Sequence, residues 1–254
     1  MFQDMRVSIL MTYYNRRKLL INTLNSISKY IKDRDIEIII IDDASDKTEL
    51  IEDIPIVYSH LNIVIYRFEK DNKTWACPVI PANKGISLCT GDVVILQGAE
   101  IFHNGDIISD VLNRIKPNDY LVYGCFAFRH PNFDLTGDNQ DYCTDENGVW
   151  YQHSIHSPRC FNFCTAIMRE DLWDLGGFDE RYARGTNYGD DDFILRVRRK
   201  GMNVIQIDNP YVYHQFHPWG KIVSNRGLYE YVLNYETNYR VKNSFLKQTK
   251  CQNI

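Results

Sequence analysis

The sequence predicts an α/β protein built on a mostly parallel central sheet flanked by helices. Two observations carry that prediction. Short β-branched runs alternate with helix-like segments through the first half, the pattern of strands joined by crossover helices. Residues 37–41 form a continuous apolar run between acids, as expected of a parallel strand buried on both faces. In chain order, 7–11 reads as a strand, followed by a helix over 18–29 with Leu19, Leu20, Leu24 and Ile27 at helical spacing. After the strand at 37–41 come a strand at 63–68, a helix at 82–89 and a strand at 93–96. Residues 106–115 give an amphipathic helix, with Ile107, Ile108, Val111, Leu112 and Ile115 on one side. Residues 129–158, rich in Gly, Asn, Asp, Pro and His, read as a long loop or insertion. Regular pattern resumes with a strand at 163–168 and a helix at 169–175 that ends at Gly176-Gly177. A helix at 193–200 follows, closed by Arg198-Arg199-Lys200, where the helix dipole favours cations. Strands at 203–207 and 211–213 and a last helix within 228–245 complete the pattern.

No internal repeat or low-complexity tract interrupts the 254 residues, so one domain is expected. With 29 basic and 33 acidic residues the net charge is -4, which argues against nucleic acid as a partner. No apolar stretch reaches the length of a transmembrane helix, and the N-terminus lacks the build of a signal peptide. Seven cysteines, an odd number with no C-x-x-C pair, fit reduced thiols in a cytoplasmic protein.

Four constellations can carry chemistry. Asp42-Asp43 follow the buried strand at 37–41, where an open parallel sheet binds its ligands, although the same residues suit a capping turn. Thr12, Tyr14, Asn15 and Arg16 end the first strand at that edge and offer a hydroxyl, a stacking ring, an amide and a guanidinium for phosphate. The G-x-G-x-x-G of a dinucleotide site is absent there, which argues against a nicotinamide or flavin oxidoreductase. Gln97-Gly98-Ala99-Glu100 closes the strand at 93–96, so Glu100 is either a ligand for Mg²⁺ or Mn²⁺ or a solvated turn residue. Asp190-Asp191-Asp192 supply either a general base or an acidic first helical turn. His214 and His217, beside Trp219, complete the set as metal ligands or ordinary histidines.

In this order the motifs resemble those of the GT-A nucleotide-sugar glycosyltransferases, in particular the family-2-like inverting enzymes. Residues 8–16 are similar to the family's P/T-x-x-N-R signature, and Ile39-Ile40-Ile41-Asp42-Asp43-Ala44-Ser45 to its V-V-D-D-G-S element. Asn83-Lys84-Gly85 with Thr90-Gly91-Asp92 resembles N-x-G…A-x-G-D. Gly176-Gly177-Phe178-Asp179-Glu180 with 189–196 resembles the acceptor-side G-G-F-D-E…E-D-x-D-x-x-x-R block. Two departures stand out. Gln97-Gly98-Ala99-Glu100 occupies the D-x-D position without its aspartates, and Gly189 stands where the family has Glu.

The resemblance implies a GT-A fold, with a Rossmann-like mostly parallel sheet and an acceptor-side subdomain. It divides the chain into a nucleotide-sugar-binding half at 1–105, an acceptor-side half at 106–225 and a helical tail at 226–254. It further implies a hexosyltransferase-type enzyme (EC 2.4 class) of glycan or polysaccharide biosynthesis, moving a sugar from a UDP-sugar donor to a glycan or glycoconjugate acceptor with inversion. Thr12, Tyr14, Asn15, Arg16, Asp42, Asp43, Asn83 and Gly98 would then bind the donor, and Glu100 and His214 would hold Mn²⁺ or Mg²⁺. Asp190 is the expected base, with Asp191 as the other register and Asp192 capping a helix at Phe193. Gly189 would let the backbone approach the sugar, and the segment around Trp219 would fold over the donor. Two other classes compete: a non-catalytic carbohydrate- or nucleotide-binding protein on a decayed transferase fold, and a nucleotidyltransferase. The latter would show a Gly-rich basic loop after the first strand, where this chain has Thr-Tyr-Tyr-Asn-Arg-Arg.

Overall fold

The computed structural model describes residues 5–31, 34–131, 133, 135, 142–218, 220 and 222–242. Its first half follows the predicted alternation: β1 (Val7–Tyr13), α1 (Arg17–Ser28), β2 (Ile36–Asp42), α2 (Ile54–Val57), β3 (Ile63–Arg67), α3 (Val79–Leu88) and β4 (Val93–Gly98). β5 (Ile101–Asn104), α4 (Ile107–Arg114), β6 (Asp119–Phe128), β7 (Gly148–Gln152), β8 (Cys164–Met168) and α5 (Arg169–Leu175) come next. The chain continues through α6 (Gly189–Arg199), β9 (Asn203–His214) and α7 (Arg226–Tyr235).

The nine strands form one sheet in the order β3-β2-β1-β4-β8-β6-β9-β5, with β7 added on β6. β3, β2, β1 and β4 are mutually parallel, and β6 and β9 run the same way. β5, β7 and β8 are antiparallel to their neighbours. The architecture is therefore a mixed α/β sheet, mostly parallel in strand direction, with helices on both faces. On one face Leu20, Leu24 and Ile27 of α1 and Ile107, Ile108 and Val111 of α4 share one buried cluster with alternate residues of β1, β2 and β4, α4 lying against β9. On the other, α3, α5 and α6 cover Leu10, Ile39, Ile41, Val94 and Leu96. A third cluster of aromatic residues, Phe102, Phe126, Phe128 and Tyr213, fills the space behind β6 and β9.

Several expectations are corrected. β5 and β6 were not expected, and β7 lies within residues 129–158, read above as loop. β6 is buried along its whole length, so its sequence (Asp-Tyr-Leu-Val-Tyr-Gly-Cys-Phe-Ala-Phe) shows no polar alternation to mark it. The strands expected at 203–207 and 211–213 are one strand, β9, whose pairing with β6 shifts register across 208–210. The last helix stops at Tyr235. Residues 243–254 of the expected tail, and Trp219, lie outside the described residues. Most relevant to the site, α6 begins at Gly189, so all three aspartates fall in its first turn instead of preceding the helix.

Candidate active site

A cleft of about 230 Å³ opens at the carboxyl ends of β1 and β4, where Thr12 pairs with Gly98. Such an edge is where open α/β sheets bind ligands. Its floor is Leu10, Thr12, Leu96 and Gly98, and its far wall is Asn162, Phe163 and residues 186–190. Glu100 and His214 close one end and Asp190 lies in the wall of α6. Gly98 leaves room at the floor for the Glu100 carboxylate, from which a Cβ there would stand 2.9 Å.

At the Glu100 end three positive or potentially positive groups converge on one oxygen. Glu100 Oε1 lies 2.9 Å from Arg16 Nη1, 3.5 Å from His214 Nε2 and 3.8 Å from His217 Nε2. β5 and β9 pair Ile101 with His214, which brings the loop after β4 and the end of β9 together. Gln215 holds that junction: its backbone N–H and its side-chain amide both donate to the Glu100 carbonyl oxygen. Burial disfavours the charged form of Glu100, yet the hydrogen bond from His214 and the charges of Arg16, His214 and His217 hold its carboxyl far below the usual range. The His217 pKa is lowered as well, chiefly by burial. One donor atom from each of Glu100, His214 and His217 lies within 4.8 Å of the others. The carboxylate suits Mn²⁺ and the two imidazoles suit first-row transition metals in general, so these residues fit a divalent cation without selecting one.

The acidic triplet separates into three environments. Asp190 lines the cleft and accepts a 3.0 Å hydrogen bond from Asn162 Nδ2. Burial raises its pKa, the neighbouring Asp191 adds to that, and the Asn162 bond partly opposes it. Asp191 faces a separate cavity with Arg159, Phe161, Arg198 and Tyr229. Asp192 is fully buried and pairs with Arg196 at 2.7 Å on the next turn, so it is not the cap of a helix at Phe193. The N-cap is Tyr188, in a left-handed conformation and without a side-chain cap bond. Gly189 lines the cleft and abuts α3, where a Cβ would meet Val79 Cγ1 at 3.1 Å.

The loops after β1 and β2 form the rim. Asp43 accepts from Trp75 Nε1 at 2.8 Å and Lys73 Nζ at 2.9 Å, and the Lys73 ammonium sits 4.1 Å above the Tyr14 ring. Burial raises the Asp43 pKa against the pull of Lys73. Asp42 instead lies on the face of β2 that packs toward α1. Its carboxylate accepts from the Ser45 N–H and stands 3.5 Å from Arg67, so it holds the turn after β2. Asn15 is bound reciprocally to Asp46 and fixes the two loops to each other.

Residues 8–176 match Glycosyl transferase family 2. The chain belongs to that family. No curated protein sequence matches the chain. Among solved structures it is similar to the mannosyltransferase PcManGT of Pyrobaculum calidifontis, in complex with GDP-Man and Mn²⁺, at 18% identity and TM-score 0.57. That match covers 85% of this chain and 58% of the other. It is also similar to S. aureus TarS 1-349 (18% identity, TM-score 0.59, 83% and 60% covered) and to the longer TarS structure (17%, 0.62, 98% and 42%). The family 2 chain thus spans between two fifths and three fifths of these neighbours, which share its GT-A fold.

Of the residues singled out in this family 2 sequence, the cleft unites Thr12, Gly98, Glu100, Asp190 and His214, with Arg16 joined through Glu100. Tyr14 and Asp43 line the adjoining rim. Asn83 is elsewhere: its fully buried amide accepts from Phe178 N and donates to the Phe178 carbonyl and Glu180, tying α3 to the turn after α5. It positions that turn and does not line the cleft. His217, singled out with His214 from the sequence, joins the Glu100 cluster. Asn162 and Lys73 were missed, since they lie in stretches without a recognisable motif. Among the described residues no helix is long and apolar enough to cross a membrane.

Proposed function

We propose that the chain transfers a sugar from a nucleotide-diphosphate sugar, UDP-linked, to an acceptor hydroxyl by single displacement with inversion. The observation that carries this is the cleft itself, with a carboxylate of raised pKa in one wall and a carboxylate–imidazole cluster at one end. Asp190 is the base: a poorly solvated carboxylate held by Asn162 takes the acceptor proton as the hydroxyl attacks. The nucleoside lies along Tyr14, Lys73, Trp75 and Asp43, and Asp43 accepts hydrogen bonds from it. Glu100, His214 and His217 hold Mn²⁺ or Mg²⁺, which when bound offsets the charge gathering on the departing diphosphate. Thr12 and Arg16 orient the phosphates from the end of β1. The PcManGT complex supports both a nucleotide-diphosphate sugar and a divalent cation for this fold. The acceptor is a glycan or glycoconjugate.

A panel of nucleotide-sugars with and without Mn²⁺ tests the proposal by thermal shift and by release of nucleoside diphosphate. A ligand specific for the folded state raises the melting temperature by mass action. UDP-sugars should stabilise the protein more with Mn²⁺ than without, and one of them should release UDP. Binding without release would favour a non-catalytic binding protein, and stabilisation by GDP-sugars alone would replace the UDP assignment.

A further inference from the structure

Arg16 immediately precedes α1, and its guanidinium reaches across the cleft mouth to Glu100. Among the described residues Glu100 is the one acid it pairs with, and its side chain remains about a third exposed. Glu100, by contrast, is buried and surrounded by Gly98, His214 and His217. The same Oε1 that takes Arg16 at 2.9 Å is the nearest carboxylate oxygen to both imidazoles. A divalent cation bound to that oxygen would share it with a guanidinium, and two positive charges at contact distance repel. The partly exposed arginine, singly anchored among the described residues, is the one free to move.

We propose that Arg16 is an exchangeable stand-in for the cation. In the free protein it neutralises Glu100. A nucleoside diphosphate arriving at the end of β1 draws the guanidinium onto its phosphates, where planar donors bind well, and so exposes Glu100 Oε1 to the metal. Diphosphate and cation therefore bind as a coupled pair through one shared residue, and the coupling is reciprocal. The inference rests on the reading of Glu100, His214 and His217 as the metal centre.

Manganese binding by the whole chain, read by electron paramagnetic resonance, tests it alongside calorimetry of UDP in EDTA. Wild type should bind Mn²⁺ weakly alone and more tightly once UDP is present. Arg16→Gln should bind Mn²⁺ without UDP about tenfold more tightly than wild type, within the usual span of coupling between sites. It should also bind UDP in EDTA more weakly, and Arg16→Lys should fall between the two. If Arg16→Gln gains Mn²⁺ affinity while UDP binding in EDTA is unchanged, Arg16 is only a nearby charge and the exchange is wrong. Equal Mn²⁺ affinity in wild type and Arg16→Gln, lost in Glu100→Gln, also overturns the exchange but leaves the metal centre standing. No Mn²⁺ bound by any of them, with or without UDP, removes both. Should Arg16→Gln fold poorly, the wild-type titrations decide: Mn²⁺ affinity independent of UDP overturns the proposal.

Discussion

Glu100 and Asp190 line one cleft, and their surroundings push them in opposite directions. Glu100 is buried among an arginine and two histidines, so it stays charged far into acid. Asp190 is half-buried beside a neutral amide and another aspartate, so its charge is disfavoured. Desolvation opposes the charge on both; the sign of the neighbours separates them. Two acids whose environments separate their proton affinities are suited to two roles, one holding charge and the other accepting a proton. The neighbours thus separate two carboxylates that residue type alone leaves equivalent.

The largest expected effect comes from removing the proton acceptor. Asp190→Asn keeps the shape and can still accept the Asn162 bond, yet it cannot act as a base. Transfer should fall by about 10²-fold or more while UDP affinity is retained by calorimetry. Asp191→Asn, in the neighbouring cavity, should stay within a few-fold of wild type. The pH profile of transfer sharpens the point. Asp190 must be ionised to work and its pKa is raised, so the acid limb should lie above the ordinary aspartate value and disappear in Asp190→Asn. Near-wild-type turnover by Asp190→Asn would reduce the triplet to an acidic helix turn.

Next in size are the groups around Glu100. His217→Ala should weaken Mn²⁺ binding by roughly 10-fold, comparable with the loss of other groups that tune metal sites. His214→Ala should weaken it at least as much. Gly98→Ala should act in the same direction without touching a ligand, because its Cβ would displace the Glu100 carboxylate. Unchanged Mn²⁺ affinity in Gly98→Ala would mean that the carboxylate has other room to occupy.

How much of this was legible differs between the two ends of the cleft. The loops after β1 and β2 follow strands with clear apolar patterns, so Thr12, Arg16 and Asp43 could be placed from sequence. Glu100 could be singled out because it follows β4 directly. Asp42 and Asp43 could not be told apart from sequence; the structure turns Asp42 toward Arg67 and Asp43 toward Lys73 and Trp75. The second half was harder to read. β6 is apolar on both faces and β7 sits in a polar stretch, so neither shows a period of two. Asn162, whose amide meets Asp190, lies in the stretch between β7 and β8 and could not be linked to the triplet from sequence. The motif alignment favoured Asp190, but it could not reveal that Asp191 faces another cavity or that Asp192 is committed to Arg196.

The smallest expected effect is on stability, and its value lies in its sign. For Asp190 the folded-state pKa is raised above the unfolded value. Its contribution is most favourable below the unfolded pKa and is lost as pH rises through the folded one, so at neutral pH the ionised group destabilises the fold. For Glu100 the folded-state pKa is lowered, so its contribution is present above the unfolded pKa and is lost only as pH falls through the folded value. Neutralising each should therefore move the melting temperature in opposite directions at pH 7. Asp190→Asn should melt higher than wild type. Glu100→Gln should melt lower, by a few degrees, as removal of a charge-assisted hydrogen-bond acceptor costs about 1.5–3 kcal/mol. Calorimetric melts of both variants at pH 7 and again near pH 4 check the argument. The Asp190→Asn gain should shrink at the lower pH, because wild-type Asp190 is then more fully protonated. If both variants melt lower at pH 7, Asp190 is a structural carboxylate like Asp192, and the contrast between the two ends of the cleft is lost.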